Sequence, residues 1–169
     1  MTLKDIENRL KALEGLEGRV SQMEKLEEIR AITWHYANSL VTVNWDELIG
    51  CFTENAVVEI GVAGARQGKE ALTQLYKKEI GTRHIGKEHI LVGHPEITLR
   101  GETAEGRWII YFMFTEASHI KTMEWVHGLY HFGYEREKGK WKISHLKWMQ
   151  RLGPLPFKLM EIYRPKDQK

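Results

Sequence analysis

Apolar residues first recur at helical spacing. Leu3, Ile6, Leu10 and Leu13 are separated by charged residues, which predicts an amphipathic helix over residues 3 to 14. Gly15 and Gly18 then weaken or break it, because glycine costs about 1 kcal/mol against alanine inside a helix. A second helix is predicted from Ser21 to Val41, with Met23, Leu26, Ile29, Ile32 and Tyr36 on or near one face. The stripe of the first helix has no obvious home in a small domain. It can pack on a partner subunit or fold back on its own sheet. Asn44 precedes WDELIGCF and can cap a short helix by accepting a bond from a free amide. Asp46 and Glu47 then occupy the first turn, where negative charge is favoured. Thr53-Glu54-Asn55 is predicted to end that helix, and AVVEIG, residues 56 to 61, to form a strand followed by a turn. Lys69 to Ile80 reads as an amphipathic helix with Leu72, Leu75, Tyr76 and Ile80 on its apolar side, stopped by Gly81.

The remainder is extended. Strands are predicted at Ile85 to Leu99, Thr103 to Glu116, Met123 to Glu137 and Trp141 to Gln150, joined by short turns at Arg100-Gly101-Glu102 and Lys138-Gly139-Lys140. Such a succession implies an antiparallel meander. Helices first and strands afterwards indicate an α+β fold. In GRWIIYFMF both parities are apolar: Trp108, Ile110, Phe112 and Phe114 on one, Ile109, Tyr111 and Met113 on the other. A sheet with one wet face would alternate more cleanly. Both faces are therefore expected to be covered, one by helices and the other by a second subunit, as a homodimer or higher homo-oligomer. The predicted division is an N-terminal helical extension (1–20), one domain (21–153) and a frayed tail (154–169).

Composition narrows the role. The 169 residues suit one domain able to bury a core. Cys51 is the sole cysteine, so no internal disulfide is possible and a reducing compartment is the natural home. A net charge of +2 without a basic run argues against nucleic-acid binding. No apolar stretch reaches membrane-spanning length, and MTLKDIENRL does not read as a secretory signal. A soluble cytoplasmic protein is expected. Six tryptophans and six tyrosines can serve a core or line a ligand pocket.

HIGKEHILVGHPEIT, residues 84 to 98, carries three histidines. His84 and His94 share a strand parity and His89 has the other. That spacing does not suit a metal triad, and neither HxH nor HExxH occurs, so no metal site is expected. His89 in an apolar pocket would suit general-base work; the alternative is an imidazole satisfied by a backbone carbonyl.

IRAITWHYANSL, NWDELIGCFTENAVVEI, GRW and GYEREKGKWKISHL, in that order over about residues 27 to 150, resemble the SnoaL-like branch of the nuclear-transport-factor-2-like superfamily. The charged first helix, PEIT and GRW are most similar to bile acid 7α-dehydratases; scytalone dehydratase and ketosteroid isomerases are similar more distantly. The resemblance implies a cone-shaped barrel, a curved antiparallel sheet whose concave face is covered by N-terminal helices around a deep apolar pocket. It implies proton abstraction, elimination or isomerisation on hydrophobic polycyclic or aromatic molecules without a cofactor. His89 falls, with a one-residue slip, where the dehydratases carry a catalytic histidine, and Tyr36 matches a pocket tyrosine able to stabilise an enolate oxygen. His127 could act as a second acid or orienter, as in a two-histidine arrangement. Trp34, Ile60, Trp108, Phe112, Phe114, His119 and Trp125 are expected to bind substrate. Two departures stand out: Val41 and Phe112 occupy positions where family members carry carboxylates. An imidazole without an acidic partner is a weaker base. A dehydratase-like lyase or isomerase therefore stands beside a non-catalytic binder of hydrophobic ligands and a structural dimer whose pocket is filled by its own aromatics.

Overall fold

The structure, a computed structural model, describes residues 2–61, 64–83, 88–116 and 119–152; for residues 83, 114–116 and 119–124 it describes the backbone alone. The chain opens with one helix, α1 (Leu3–Val41), and not the two predicted. Thr2 starts it: its hydroxyl accepts the Asp5 amide while the Asp5 carboxylate accepts the Thr2 amide, a capping box. Gly15 and Gly18 leave the helix unbroken because each faces open space and costs only its propensity. α1 ends at Thr42, and Val43 turns the chain with a φ of 60°. Asn44 then caps α2 (Trp45–Gly50) through the Glu47 amide, as expected.

β1 (Phe52–Ile60) begins four residues earlier than predicted. Thr53-Glu54-Asn55 is strand because the chain enters directly beside the last strand, where the Cys51 carbonyl accepts the Ile143 amide. β2 (Ala65–Gln67) folds back on β1. α3 (Lys69–Gln74) continues into a wider π-helical stretch, Leu75–Ile80, and a 3-10 turn, Gly81–Arg83. Four long strands follow: β3 (His89–Arg100), β4 (Thr103–Glu116), β5 (His119–Glu137) and β6 (Lys140–Leu152).

The strands form one curved, unclosed sheet in the order β2-β1-β6-β5-β4-β3. All neighbours are antiparallel except β1 and β6, which run parallel. The fold is α+β as anticipated. The sheet is an open cone, with β2 and β3 as free edges.

Register assigns every side chain to a face. In β4, Ala104, Trp108, Ile110 and Phe112 are buried; in β5, Val126, Tyr130, Phe132 and Tyr134 are buried. Their partners on β6, Trp148, Leu146 and Ile143, share that concave face. Against it lie Ile29, Tyr36 and Leu40 of α1, Leu48 of α2 and Leu72, Leu75 and Tyr76. A buried polar link ties the layers together. The Tyr134 hydroxyl lies 2.7 Å from the Thr33 hydroxyl and accepts the Trp108 indole N–H at 3.0 Å. Each of those buried polar groups is thereby satisfied.

Gly128 sits where β5 meets the Trp148 ring and the Met149 carbonyl, both closer than a Cβ there could tolerate. Gly128→Ala should therefore destabilise the fold by about 1–3 kcal/mol, the usual cost of overpacking. A urea denaturation midpoint that does not move would contradict this placement.

Candidate functional site

The interior of the cone is aromatic, with phenols at its centre. Tyr36 projects from α1 and is fully buried. Its hydroxyl lies 3.1 Å from that of Tyr76, also fully buried. Tyr130 of β5 is buried beside them. Phe52, Tyr130 and Phe132 meet the Tyr36 ring edge-on, with centroids 5.7, 5.9 and 5.8 Å away. Burial, which penalises a phenolate, raises the proton affinity of all three phenols well above the ordinary tyrosine value. One turn beyond Tyr36, the Ser39 hydroxyl is buried without a hydrogen-bond partner among the described residues. These groups can donate to a carbonyl or enolate oxygen while keeping their own protons at neutral pH.

Glu88 is the polar residue that sequence reasoning passed over. It immediately precedes β3 and is only 5% exposed, whereas the adjacent His89 is exposed. Ile90 and Val92 pair with Phe112 and Ile110 on the concave face, so strand alternation puts position 88 on that face too. The signal was present in the sequence as the acid two residues before an inward-facing isoleucine. It could not be read without the register.

Position 89 has the opposite parity. His89 pairs with Met113, and Met113 with Trp125; Tyr111 pairs with His127. All of these lie on the outer, convex face. The resemblance placed His89 in the pocket through a one-residue slip, and in a strand one residue exchanges the faces. His127 stacks on Tyr111 with centroids 4.6 Å apart and the planes 18° from parallel. The expected grouping of His89 and His127 with Tyr36 is therefore not what this geometry brings together. Trp125 is 54% exposed on the same outer face, and Trp34 is 46% exposed on α1. Trp108 is buried in the polar link to Tyr134, and Phe112 is buried on the concave side. Ile60 packs partly buried against the core at the end of β1. The side chains of Phe114 and His119 lie outside the described residues, as does His84.

The outer face has two characters. One end is apolar and exposed: Leu91, Tyr111, Trp125 and Leu152. The other carries a polar row across five strands, Glu96, Arg107, His131, Lys147 and Glu59, set side by side by pairing. Arg107 reaches Glu96 at 2.6 Å, and Glu59 takes Lys147 at 3.0 Å and His145 at 2.9 Å. The His145 hydrogen bond and then that of Lys147 hold the Glu59 carboxyl below the usual carboxylate range. Among the described residues no three His, Cys, Asp or Glu side chains gather to hold a metal. Among the same residues no helix is long and apolar enough to cross a membrane.

The sequence profile of the SnoaL-like domain matches residues 21–147. No curated protein matches the chain. Among solved structures, an NTF2-like protein with a cystatin-like fold from Novosphingobium aromaticivorans is similar at 16% identity and a TM-score of 0.73, covering 90% of this chain and 97% of that one. A hexachlorocyclohexane dehydrochlorinase, LinA-type3, from Novosphingobium barchaimii is similar at 13% identity and a TM-score of 0.72, covering 80% and 92%. A protein of unknown function with a cystatin-like fold from Nostoc punctiforme is similar at 16% identity and a TM-score of 0.64, covering 76% and 92%. At such identities the likeness shows the fold alone.

The buried phenols set an alkaline limit. Their folded-state proton affinities exceed the unfolded value near 10. The stability gained by keeping them neutral is fully present below that pH and is lost as pH rises above it. Phenolate absorbance should show Tyr36, Tyr76 and Tyr130 ionising only together with loss of near-ultraviolet circular dichroism. Six tyrosines titrating normally in a folded protein would refute the cluster.

Proposed function

The chain belongs to the SnoaL-like domain family, and from that premise we propose that its concave face binds a hydrophobic ring-shaped molecule carrying a carbonyl oxygen. The observation that carries this reading is the Tyr36–Tyr76 hydroxyl pair in an otherwise apolar interior. Donors held in a dry interior stabilise developing negative charge more than donors in water do. The phenols stay protonated, so they can donate to the ligand oxygen.

The reaction proposed is cofactor-independent proton abstraction, lyase- or isomerase-like. Glu88, at the start of β3, takes a proton from the carbon beside the carbonyl, and the electron pair moves to the oxygen held by Tyr36. Return of the proton at another carbon isomerises the substrate; departure of a leaving group with its electron pair gives elimination. In this reading His89 and His127 serve the outer face and not the reaction.

A second reading is a non-catalytic carrier or sensor. Val41 and Phe112 favour it, because both are packed in or against the core where family members carry carboxylates.

Hydrogen–deuterium exchange of a polycyclic ketone in heavy water separates the two. With a carboxylate base, Glu88→Gln should slow exchange by about 10²–10⁴-fold. Tyr36→Phe should weaken ketone binding, followed by tryptophan fluorescence, by about 2- to 10-fold, the worth of one hydrogen bond. Binding without exchange above the buffer rate would leave the carrier, and absence of binding across a ketone panel would remove both readings.

The apolar end of the outer face is proposed to be covered by a second copy of the chain. Leu91, Tyr111, Trp125 and Leu152 are exposed side by side at that end, and a rimmed apolar patch marks an association surface. Trp125→Lys should then weaken association in sedimentation velocity without unfolding the domain; an unchanged association state would remove this contact.

A further inference from the structure

The first 21 residues of α1, from Leu3 to Met23, are exposed along their whole length. Lys25 of α1 reaches Glu102, in the turn between β3 and β4, at 3.1 Å. Ile29 is the first buried residue. A solvated helix of that length is marginal in water, and two glycines make it weaker. Yet its apolar residues form a continuous seam: Leu3, Ile6, Leu10, Leu13, Leu16, Val20 and Met23, between 38% and 82% exposed. The intervals are three and four residues, with one additional step of three between Leu13 and Leu16. That is coiled-coil spacing with one local overwinding.

Charge selects what lies along the seam. With Leu3 and Leu10 at position a and Ile6 and Leu13 at position d, Arg9 takes position g and Glu7 and Glu14 take position e. In a parallel pair, g of one helix meets e of the next heptad on its partner, which brings Arg9 opposite Glu14 twice. In an antiparallel pair the e positions face each other and bring Glu7 against Glu14. Gly15 and Gly18 fall on the outer surface of the helix, where their Cβ directions meet nothing. The seam is therefore uninterrupted by the residues that weaken the helix.

We propose that this arm pairs in parallel with the same arm of a second copy of the chain, forming a short coiled coil that projects from the domains. The contact uses a surface separate from the sheet face and does not depend on the ligand reading. Parallel pairing places both domains at the same end of the coiled coil, related by a two-fold axis along it.

The test uses the full chain. In sedimentation velocity, Leu10→Glu/Leu13→Glu should lower the association state, with loss of far-ultraviolet helical signal and retained near-ultraviolet signal from the domain. Arg9→Glu alone should weaken association, and Arg9→Glu/Glu14→Arg should restore it, because the pair is re-formed with its signs exchanged. Leu3→Cys in a Cys51→Ser background should cross-link rapidly under mild oxidation, since parallel arms bring residue 3 of both copies together. An association state and helical signal unchanged in the double glutamate variant would overturn the proposal. Failure of the charge exchange to restore association, with no cross-link at position 3, would overturn the parallel arrangement. Trp125→Lys reads the sheet contact separately, so the two surfaces cannot be mistaken for each other.

Discussion

Four rings close around Tyr36: Phe52 from β1, Tyr76 from the stretch after α3, and Tyr130 and Phe132 from β5. This contact holds α1 on the sheet. Aromatic pairs in edge-on geometry add about 0.5–1.5 kcal/mol each beyond their area burial, so the cluster is a major cohesive element. It also decides the chemistry of the interior. The hydroxyls of Tyr36 and Tyr76 are confined together among rings, and burial keeps them protonated. Stability and the capacity to donate hydrogen bonds come from the same residues.

A second constraint is register. Every assignment of a residue to the inside or outside of the cone follows from pairings such as Phe112 with Ile90 and Val126. A bulge between Gly93 and Glu96, where His94 adopts a φ of 50°, then reverses the parity of β3. Ile90 and Val92 face inward before it, and Ile97 and Leu99 after it. Glu88 and His89 both precede the bulge, so plain alternation from Ile90 and Val92 turns position 88 inward and His89 outward.

Among the described residues two apolar surfaces are exposed, the end of the sheet and the first part of α1. They differ in how they can associate. The sheet patch is broad and bordered by the Glu96–Arg107 and Glu59–Lys147 pairs, which suits a flat isologous contact. The arm is narrow and periodic, and its partner is selected by the spacing of its charges.

Much was legible in the sequence alone. Periodicity located the helices and long strands, the Asn44 cap, the β4 boundaries and the α+β class, because amphipathic patterns and turn residues act locally. The order of motifs identified the SnoaL-like domain. The two-faced apolar stretch of β4 anticipated the exposed apolar side chains at one end of the outer face. What local patterns could not decide was which of two adjacent residues looks inward. That depends on pairing between strands distant in sequence, and for that reason Glu88 was missed and His89 was assigned to the pocket. The continuity of α1 through Gly15 and Gly18 was likewise beyond propensity, since two glycines on an open surface lower stability without forcing a break. Alternation supplied the two faces, but only the tertiary register said which side of the sheet each residue takes.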